Sequence, residues 1–368
     1  MAGYLNTLRK DVMRWRTSGL IDEQTASAIV LDAETHHRGG FSFGSVLAIL
    51  AATLVGAAIL LLVAANWEAI PRLARVAMIF VVILAGYAGG ALFMRRGQSA
   101  FAEGLWLIAA VAFGAGIALV GQMYHLSGDE ADALLVWCGG TALAAAALRS
   151  GPLTAGAVLL AGAWMLYLTL ESGRDIPLLY PLVAAGIWLV SIWTASIVAR
   201  HLTLLSLMLF AGLAFIEFEA LWIAILLAAV SAAVFAFAAF LPATADRLSG
   251  MGGGLAVQGL LGFIAGMSIV QFDLYEGSYF LLVAIVVFAA IVAALLAEGR
   301  ENRALRWLAY AGFIYQLGFV YTMLLGSMLG TSGFFLAAGL SLALLAWLIG
   351  RIEKRIAAER PRRAEEGA

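Results

Sequence analysis

The chain has 368 residues, of which 63% are hydrophobic and 12% are charged, and its formal net charge is −1. Soluble globular chains carry about 25% charged residues. Half that fraction, with many apolar runs of about 20 residues, excludes a soluble globular protein and predicts a polytopic helical membrane protein. The runs do not alternate polar and apolar residues, which excludes a transmembrane β-barrel, so the expected fold class is all-α. The single cysteine, Cys138, excludes a disulfide within the chain.

Residues 1–40 precede the first apolar run and have the pattern of a helical hairpin. The apolar residues of its first helix recur at helical spacing: Leu5, Leu8, Val12 and Trp15. Gly19 is expected to end this helix, and Asp22 is expected to cap the next one. Because such a hairpin is too small for an independent core, we expect it to pack on the membrane domain, on another copy of the chain, or on a cytosolic partner.

Short polar connections divide the rest of the chain into apolar runs. The candidate transmembrane helices are residues 44–65, 73–94, 101–121, 132–149, 153–171, 177–199, 202–218, 220–240, 254–272, 278–297, 305–325 and 331–350. One straight helix over 202–240 would be about 58 Å long, against a hydrocarbon core of about 30 Å. The chain must therefore turn within this run, and we place the turn at Glu217 and Glu219. We expect about twelve transmembrane helices in a membrane domain of residues 41–350, followed by a charged cytosolic tail, 351–368.

The basic residues predict the orientation of these helices. With the N-terminus in the cytoplasm, all of the 22 basic residues except Arg72, Arg75 and Arg174 fall on the cytoplasmic side, as the positive-inside rule requires. This count includes Arg200, which we expect in a cytoplasmic loop. The outer side then carries 3 basic and 10 acidic residues, and the cytoplasmic side carries 19 basic and 13 acidic residues. The pattern predicts an N-in, C-in membrane protein, and the Ala-, Gly- and Arg-rich composition indicates a bacterial chain.

Two pairs of glycines predict close contacts between helices. Gly86 and Gly90, and again Gly262 and Gly266, are four residues apart. This small-xxx-small spacing places both glycines of a pair on one helix face, where a neighbouring backbone can approach closely.

The densest polar cluster, residues 121–132, follows the third predicted span. Its candidate functional side chains are Gln122, Tyr124, His125 and Asp129. On a helix, His125 and Asp129 would share one face, and a histidine beside a carboxylate can carry protons near neutral pH. The alternative is a helix end capped by polar residues. Gln271 ends the ninth span before a similar turn, as a parallel six-plus-six repeat would require.

Further acids lie at the predicted outer ends of other spans. Glu217 and Glu219 occupy a tight turn, where contact with lipid would raise the pKa of a carboxyl group and allow it to load protons at neutral pH. Asp273 is a similar candidate. The alternative is an ordinary solvated turn. Asn66 and Trp67 follow the first span, and we interpret them as an interfacial anchor.

Three segments of the chain resemble one family. They are Leu8–Ile29, the stretch Ala65-Asn66-Trp67-Glu68-Ala69-Ile70-Pro71, and the stretch Gly121-Gln122-Met123-Tyr124-His125-Leu126-Ser127-Gly128-Asp129. In this order they resemble the predicted bacterial membrane proteins called domain of unknown function 2157, over roughly residues 8–150. The resemblance implies an inner-membrane location and a cytosolic helical preface, and brings no activity, ligand or catalytic residue with it.

Two functional hypotheses of different classes follow. The first is a transporter or permease for a small solute, with proton coupling through the outer acids as one mechanism. The second is a non-catalytic membrane scaffold or envelope-stress sensor that docks a cytosolic partner through Leu5, Leu8, Val12 and Trp15. The chain contains no phosphate-binding Gly-Lys-Ser/Thr loop, no Gly-x-Ser-x-Gly elbow and no His-Glu-x-x-His pair. We therefore expect no enzyme activity, no cofactor, no metal and no nucleic acid, with the lipid bilayer and a cytosolic protein or a second copy as partners.

Overall fold

The computed structural model describes residues 11–36, 54, 70–124, 129–171, 175–275, 277, 279–299 and 302–324, and the single positions 336, 339 and 343. All regular secondary structure in these residues is helical. The chain divides into two units, Met1–Arg75 and Val76–Ala368.

The first unit contains a helix-turn-helix over residues 11–36. Residues 11–17 form the first helix of this pair, which carries no label of its own. The second helix spans Glu23–His36, and we call it α1. Gly19 adopts φ 74°, and the Leu20 N–H donates to the Trp15 carbonyl at 2.9 Å, which closes the first helix as a Schellman-type end. The Asp22 carboxylate then accepts from the Thr25 N–H at 3.0 Å, the N-cap bond that its position predicts.

The helices that follow α1 are α2 (Arg72–Arg95), α3 (Ser99–Met123), α4 (Glu130–Leu148), α5 (Gly151–Leu166), α6 (Tyr180–Trp193), α7 (Ile197–Phe218), α8 (Leu221–Phe240), α9 (Pro242–Ser249), α10 (Gly254–Asp273), α11 (Phe280–Glu298) and α12 (Arg303–Leu324). A π-helical turn, Tyr167–Glu171, extends α5. Eight of the described helices are long and apolar enough to cross a membrane, namely α2, α3, α4, α5 with its π turn, α7, α8, α10 and α11. The chain is therefore a polytopic helical membrane protein.

Nine of the ten predicted spans from 73–94 to 305–325 each fall on one helix, and the tenth, 177–199, overlaps both α6 and the first turn of α7. Helix α6 is shorter than the eight membrane-length helices and α12 is not among them, so the predicted total of about twelve stays a prediction. The predicted first and last spans, 44–65 and 331–350, lie outside the described residues apart from single positions. The turn that we placed within residues 202–240 is confirmed. There α7 ends at Phe218, Glu219 adopts φ 49°, and α8 begins at Leu221.

The boundary predicted between spans 177–199 and 202–218 is wrong. In the structure α6 ends at Trp193, Ala195 turns the chain at φ 52°, and α7 begins at Ile197. The Ser196 hydroxyl accepts from the Ala199 N–H at 3.3 Å and caps the new helix. Arg200, which we expected in a loop, is therefore inside the first turn of α7.

Helix α10 packs closely against α8, as the glycine spacing predicted. A Cβ atom added to Gly266 would lie 2.8 Å from the backbone nitrogen of Ala228, and one added to Gly262 would lie 3.1 Å from the Ser231 Cβ. Only glycine permits this separation of the two backbones. Helix α10 therefore packs against α8, and it also contacts α7, α11 and α12.

Candidate functional site

The connections at one end of the second unit are joined to one another by hydrogen bonds. The Ser150 hydroxyl donates to the Glu103 carboxylate, the Ser196 hydroxyl donates to the Gly151 carbonyl at 3.2 Å, and Arg200 reaches Ser249. This end carries the arginines Arg95, Arg96, Arg149, Arg200, Arg247, Arg303 and Arg306, and we call it the basic end. The opposite ends of the same helices carry the acids Asp129, Glu130, Asp132, Glu171, Asp175, Glu217, Glu219 and Asp273, and we call them the acidic end.

A cleft of about 300 Å³ lies at the basic end, beneath the short helix α9. The ends of four helices form it, namely the C-terminal ends of α8 and α11, the N-terminal end of α10, and α9 itself. The residues that line it are Ala238, Pro242, Ala243, Ala245, Asp246, Ser249, Gly253, Leu255, Ala256 and Glu298. We call it the α9 cleft.

Local sequence explains why α9 forms and where it ends. Pro242 occupies its first turn, where the missing N–H costs nothing. Gly250 ends it in the left-handed region at φ 58°, and the Gly250 N–H donates to the Asp246 carbonyl at 2.6 Å. The Asp246 carboxylate accepts from the Gly252 N–H. The result is a helix of eight residues that folds back at a glycine-rich turn into α10.

Hydrogen bonds from Arg200 hold the C-terminal end of α9 against α7. Its side chain is only 6% exposed. Nη1 donates to the carbonyls of Ser249 at 2.7 Å and Gly250 at 2.9 Å, and Nη2 donates to the carbonyl of Ser191 at 3.1 Å. These carbonyls belong to the C-terminal ends of α9 and α6, where the helix dipole is negative, so the charge is compensated by backbone groups. A Cβ atom at Gly250 would overlap Nη1, so this position requires glycine for space as well as for its φ.

Two further side chains hold the turn that follows α9. Nδ1 of His201 lies 2.8 Å from Nε2 of Gln258 in α10, which joins α7 to α10 beside the turn. Nδ2 of Asn302 donates to the Gly253 carbonyl at 2.9 Å, and its Oδ1 accepts from the Leu305 N–H at 3.1 Å. The turn is therefore bound to α7 on one side and to α12 on the other.

Two acidic side chains line the α9 cleft, and both already take part in interactions within the chain. The cleft's ionisable side chains are the carboxylates of Asp246 and Glu298, and no arginine, lysine or histidine is among the lining residues in the described part of the chain. Ser249 is 6% exposed, and its buried hydroxyl has no hydrogen-bond partner among the residues that the structure describes. A buried hydroxyl without a partner is costly, so a polar group inside the cleft would gain a hydrogen bond there.

A second polar contact lies inside the helix array. The amide side chains of Gln271 in α10 and Gln316 in α12 are both 0% exposed. They bond reciprocally, with Nε2 of Gln316 2.6 Å from Oε1 of Gln271 and the return bond at 3.3 Å. Such a pair gives each buried amide a hydrogen-bond partner and holds the two helices together.

The candidates that the sequence placed on the outer side lie at the acidic end, on separate turns. Gln122 and Tyr124 are exposed at the end of α3, and the Asp129 carboxylate caps α4 by accepting from the Ala131 N–H at 3.0 Å. Beside Asp129, the Tyr167 hydroxyl donates to the Glu130 carboxylate at 3.0 Å. His125 is outside the described residues, so its predicted pairing with Asp129 stays a prediction.

The remaining acidic candidates are exposed on two other turns. Glu217 and Glu219 flank the end of α7, and Asp273 is the last residue of α10. Their proposed protonation stays a prediction. Of the hairpin residues expected to dock a partner, Val12 is buried and Trp15 is half-buried. Leu5, Leu8, Asn66 and Trp67 lie outside the described residues.

Sequence reasoning missed Arg200, Ser249 and Glu298 as site residues. One available signal was Ser196, an N-cap residue four positions before Arg200, which places the arginine inside a helix. Ser249 carried no comparable signal, because its hydroxyl matters only through the cleft that α9 and α11 enclose.

The comparisons with known proteins support the family resemblance. Residues 13–154 match the family described as predicted membrane protein, domain of unknown function 2157, which confirms the resemblance in that part of the chain. No curated protein and no solved structure matches the chain. The matched residues end within α5, so the α9 cleft lies in the part of the chain that follows them.

Proposed function

We propose that this protein is a bacterial inner-membrane permease of about twelve transmembrane helices, with both termini in the cytoplasm, and that it carries a small polar solute across the bilayer rather than catalysing a reaction. The α9 cleft is its cytoplasmic solute site.

The orientation rests on the charges at the two ends of the helices. The basic end holds seven arginines of the described residues, and the acidic end holds eight carboxylates. Arginines are retained on the cytoplasmic side of bacterial membranes, so we assign the basic end, and with it the α9 cleft, to the cytoplasm. With that assignment, both termini are cytoplasmic if residues 44–65 and 331–350 each cross the membrane once.

The α9 cleft is the observation that carries the proposal. It is a cavity of about 300 Å³ with two carboxylates and a buried hydroxyl, at the end of helices whose other surfaces are strongly apolar. Small-molecule sites have volumes of about 300–1,000 Å³ and a few convergent polar groups in a mostly apolar lining. In a polytopic protein such a site between helix ends is suited to receive a solute from one compartment.

Proton coupling would use the carboxylates at the acidic end. Glu217 and Glu219 are the first candidates, followed by His125 and Asp129, because these groups lie where a proton would enter from outside. A carboxyl group that gains and loses a proton during each cycle would link solute movement to the proton gradient.

The experiment is a flux measurement with purified protein in proteoliposomes. A pH-sensitive dye inside the vesicles reports proton movement while a panel of small solutes is added outside. We expect a solute-dependent signal that the double variant Glu217→Gln/Glu219→Gln loses. Asp175→Asn, an exposed acid at the same end, is the matched control and should keep the signal. Unchanged flux in the double variant would remove Glu217 and Glu219 from the mechanism.

The rival proposal is a scaffold or envelope-stress sensor, and the hairpin surface favours it. Met13 is 61% exposed and Leu20 is 73% exposed, so these two apolar side chains are available to a partner. Deleting residues 1–38 separates the two proposals. A permease should retain its flux after the deletion, whereas a scaffold should lose a partner that the intact chain captures.

A further inference from the structure

We infer that the ends of α4 and α6 form a binding site for the phosphate of an anionic phospholipid, with Arg149 as its cation and Trp193 as the aromatic ring that supports it. We call these two residues the Arg149–Trp193 pair. The inference goes beyond the permease proposal, because it applies equally to a permease and to a membrane scaffold.

The geometry of the pair is the first observation. The guanidinium carbon of Arg149 lies 4.1 Å from the centroid of the Trp193 ring, a separation at which the ring face attracts the cation. Trp193 is itself held, since its indole N–H donates to the Ala146 carbonyl at 2.9 Å. That carbonyl belongs to the last turn of α4, where donors within the helix run out. The ring therefore bridges α6 to α4 and supports the guanidinium.

The N–H groups of Arg149 are available to a ligand. Arg149 is exposed, and no carboxylate of the described residues forms an ion pair with it. Glu103 approaches the next residue instead and accepts from the Ser150 hydroxyl. A guanidinium stacked on a ring keeps its N–H groups at the edges of its plane, and their fork matches two oxygens of a phosphate.

The backbone at Arg149 also points to a role for its side chain. Arg149 ends α4 at φ 53°, in the left-handed region, where a helix end favours glycine. Gly97 and Gly250 adopt this conformation after α2 and α9 at the same end of the helices. Strain in a residue other than glycine is concentrated at binding sites. A ligand for the guanidinium accounts for an arginine at this position.

The position of the pair favours a phospholipid over a soluble anion. Arg149 directly follows α4, which is long and apolar enough to cross a membrane, so it lies where the apolar span meets water. Trp193 is 57% exposed at the end of α6, and tryptophan is enriched at this level of a bilayer. Leu189, one turn earlier on the same face of α6, is 66% exposed. An acyl chain can lie along Leu189 while its phosphate reaches Arg149.

The surrounding charge favours an anionic headgroup. The pair belongs to the basic end, where Arg95 and Arg96 are also exposed. Phosphatidylglycerol brings one negative charge, whereas phosphatidylcholine carries a cation beside its phosphate. Basic pockets between helices at the cytoplasmic surface bind anionic headgroups for this reason.

The experiment is native mass spectrometry of the full-length protein. The protein is stripped of lipid in detergent and titrated with phosphatidylglycerol or phosphatidylcholine of identical acyl chains. Each bound lipid adds its own mass, so the spectra give the apparent dissociation constant of the first lipid. We expect phosphatidylglycerol to bind several-fold more tightly than phosphatidylcholine. Equal affinity for the two lipids would overturn the inference.

Arg149→Gly removes the side chain and suits the backbone. It should weaken the first phosphatidylglycerol step about tenfold, since a hydrogen bond to a charged group is worth at least that factor, and should leave phosphatidylcholine binding unchanged. Because glycine adopts this φ without strain, the unfolding midpoint without lipid should equal or exceed that of the parent chain. Unaltered phosphatidylglycerol affinity, or a midpoint well below the parent's, would contradict the proposed site.

Arg149→Gln should behave as Arg149→Gly does, and Arg95→Gln is its matched control. Arg95 is exposed at the end of α2 and contacts no aromatic ring of the described residues. Its replacement removes the same charge from the same end of the helices and should leave the first phosphatidylglycerol step unchanged. An equal loss in both variants would show that the lipid responds to total charge and not to this pair.

Two further variants separate the ring from the charge. Trp193→Leu keeps an apolar side chain at the interface but removes the ring, and it should weaken phosphatidylglycerol binding several-fold. Arg149→Lys keeps the charge but not the planar fork, so it should retain only part of the parent's affinity. Full affinity in both variants would show that any cation suffices at this surface and would overturn the inference.

Glycerol phosphate tests whether the site takes a free anion. It presents a phosphate without acyl chains, and at the concentration of the lipid it should not displace phosphatidylglycerol. Displacement would indicate a site for a soluble anion and would overturn the lipid assignment. The assay needs no transport, so its failure beside a solute flux would remove the lipid site and leave the permease proposal standing. Lipid binding without flux would do the reverse.

Discussion

Nη1 of Arg200 donates to the carbonyl oxygen of Ser249 at 2.7 Å, across 49 positions of the sequence. The guanidinium is buried, and the groups that compensate its charge are backbone carbonyls at the ends of α6 and α9. Backbone carbonyls match the several N–H donors of a planar arginine guanidinium better than the single ammonium group of a lysine. The bond fixes the last residue of α9, and thereby the position of the Ser249 hydroxyl in the α9 cleft.

Replacing Arg200 should destabilise the protein and open the cleft. Arg200→Met removes the Arg200 donors of the Ser249 and Gly250 carbonyls, whereas the Ser191 carbonyl still accepts from the Ser196 N–H at 3.0 Å. We expect this change to reduce the free energy of unfolding by about 2 kcal/mol. Arg200→Lys should recover only part of this, because one ammonium group cannot reach all three carbonyls. The measurement is chemical unfolding in detergent micelles, with the exposed Arg303→Lys as control. Equal stability of Arg200→Met and the parent chain would show that the arginine does not hold α9.

The Gln271–Gln316 pair should behave as one energetic unit. Either single change to leucine leaves the other amide buried without its partner, which costs about 1–3 kcal/mol. The double variant Gln271→Leu/Gln316→Leu removes both polar groups and should be more stable than the sum of the two single effects predicts. A double-mutant cycle measured by unfolding gives this coupling. Simple additivity would mean that the two amides do not depend on each other.

Glycine at position 266 should be required by the contact between α10 and α8. In Gly266→Ala the added Cβ would lie 2.8 Å from the Ala228 nitrogen, so the helices must separate, at a cost of about 1–3 kcal/mol. Gly186 is the matched control, because no atom of the described residues, other than its own helix backbone and chain neighbours, lies within 4 Å of a Cβ added there. Gly186→Ala should be neutral or slightly stabilising, since alanine is the better helix former. Comparable unfolding midpoints for the two variants would contradict the packing argument.

The cap of α1 should depend on pH through Asp22. Hydrogen bonds from the side chain and backbone of Thr25 lower the pKa of Asp22 below its ordinary value of 3.8. Since the carboxylate form is the one that accepts these bonds, the cap is fully present above that value and is lost as the pH falls through the lower folded pKa. The amide shift of ¹⁵N-threonine at position 25, followed against pH, should report this transition.

Substitution of Asp22 tests the same cap at neutral pH. Asp22→Ala should speed hydrogen exchange over Glu23–His36, whereas Asp22→Asn should preserve protection, because asparagine caps a helix as well as aspartate does. The Asp22→Asn variant should also abolish the acid transition of the Thr25 amide. Equal exchange in the alanine variant and the parent chain would show that the cap does not support α1.

Chain length and hydrophobicity were sufficient to predict most of the helices. The turn at Glu217 and Glu219 could be placed because residues 202–240 are too long for one crossing, and it lies where α7 and α8 meet. The Gly262/Gly266 pair was recognisable because its four-residue spacing directly reports a close helix contact. Both features are local in sequence.

The α9 cleft could not be predicted, because it depends on contacts between distant residues. Arg200 was assigned to a loop since a charge between two apolar runs normally is solvated. Its actual partners are carbonyls 49 and 50 positions later and one carbonyl nine positions earlier. Backbone acceptors leave no pattern in the sequence, so neither the burial of Arg200 nor the position of Ser249 was visible before the fold was known.

The measurement that tests the permease proposal most directly is solute-dependent proton flux in proteoliposomes. The proposal predicts a protein-dependent signal for at least one solute of the panel, which Glu217→Gln/Glu219→Gln loses and which Asp175→Asn keeps. Flux no faster than in protein-free vesicles, for every solute of the panel, would contradict the permease proposal.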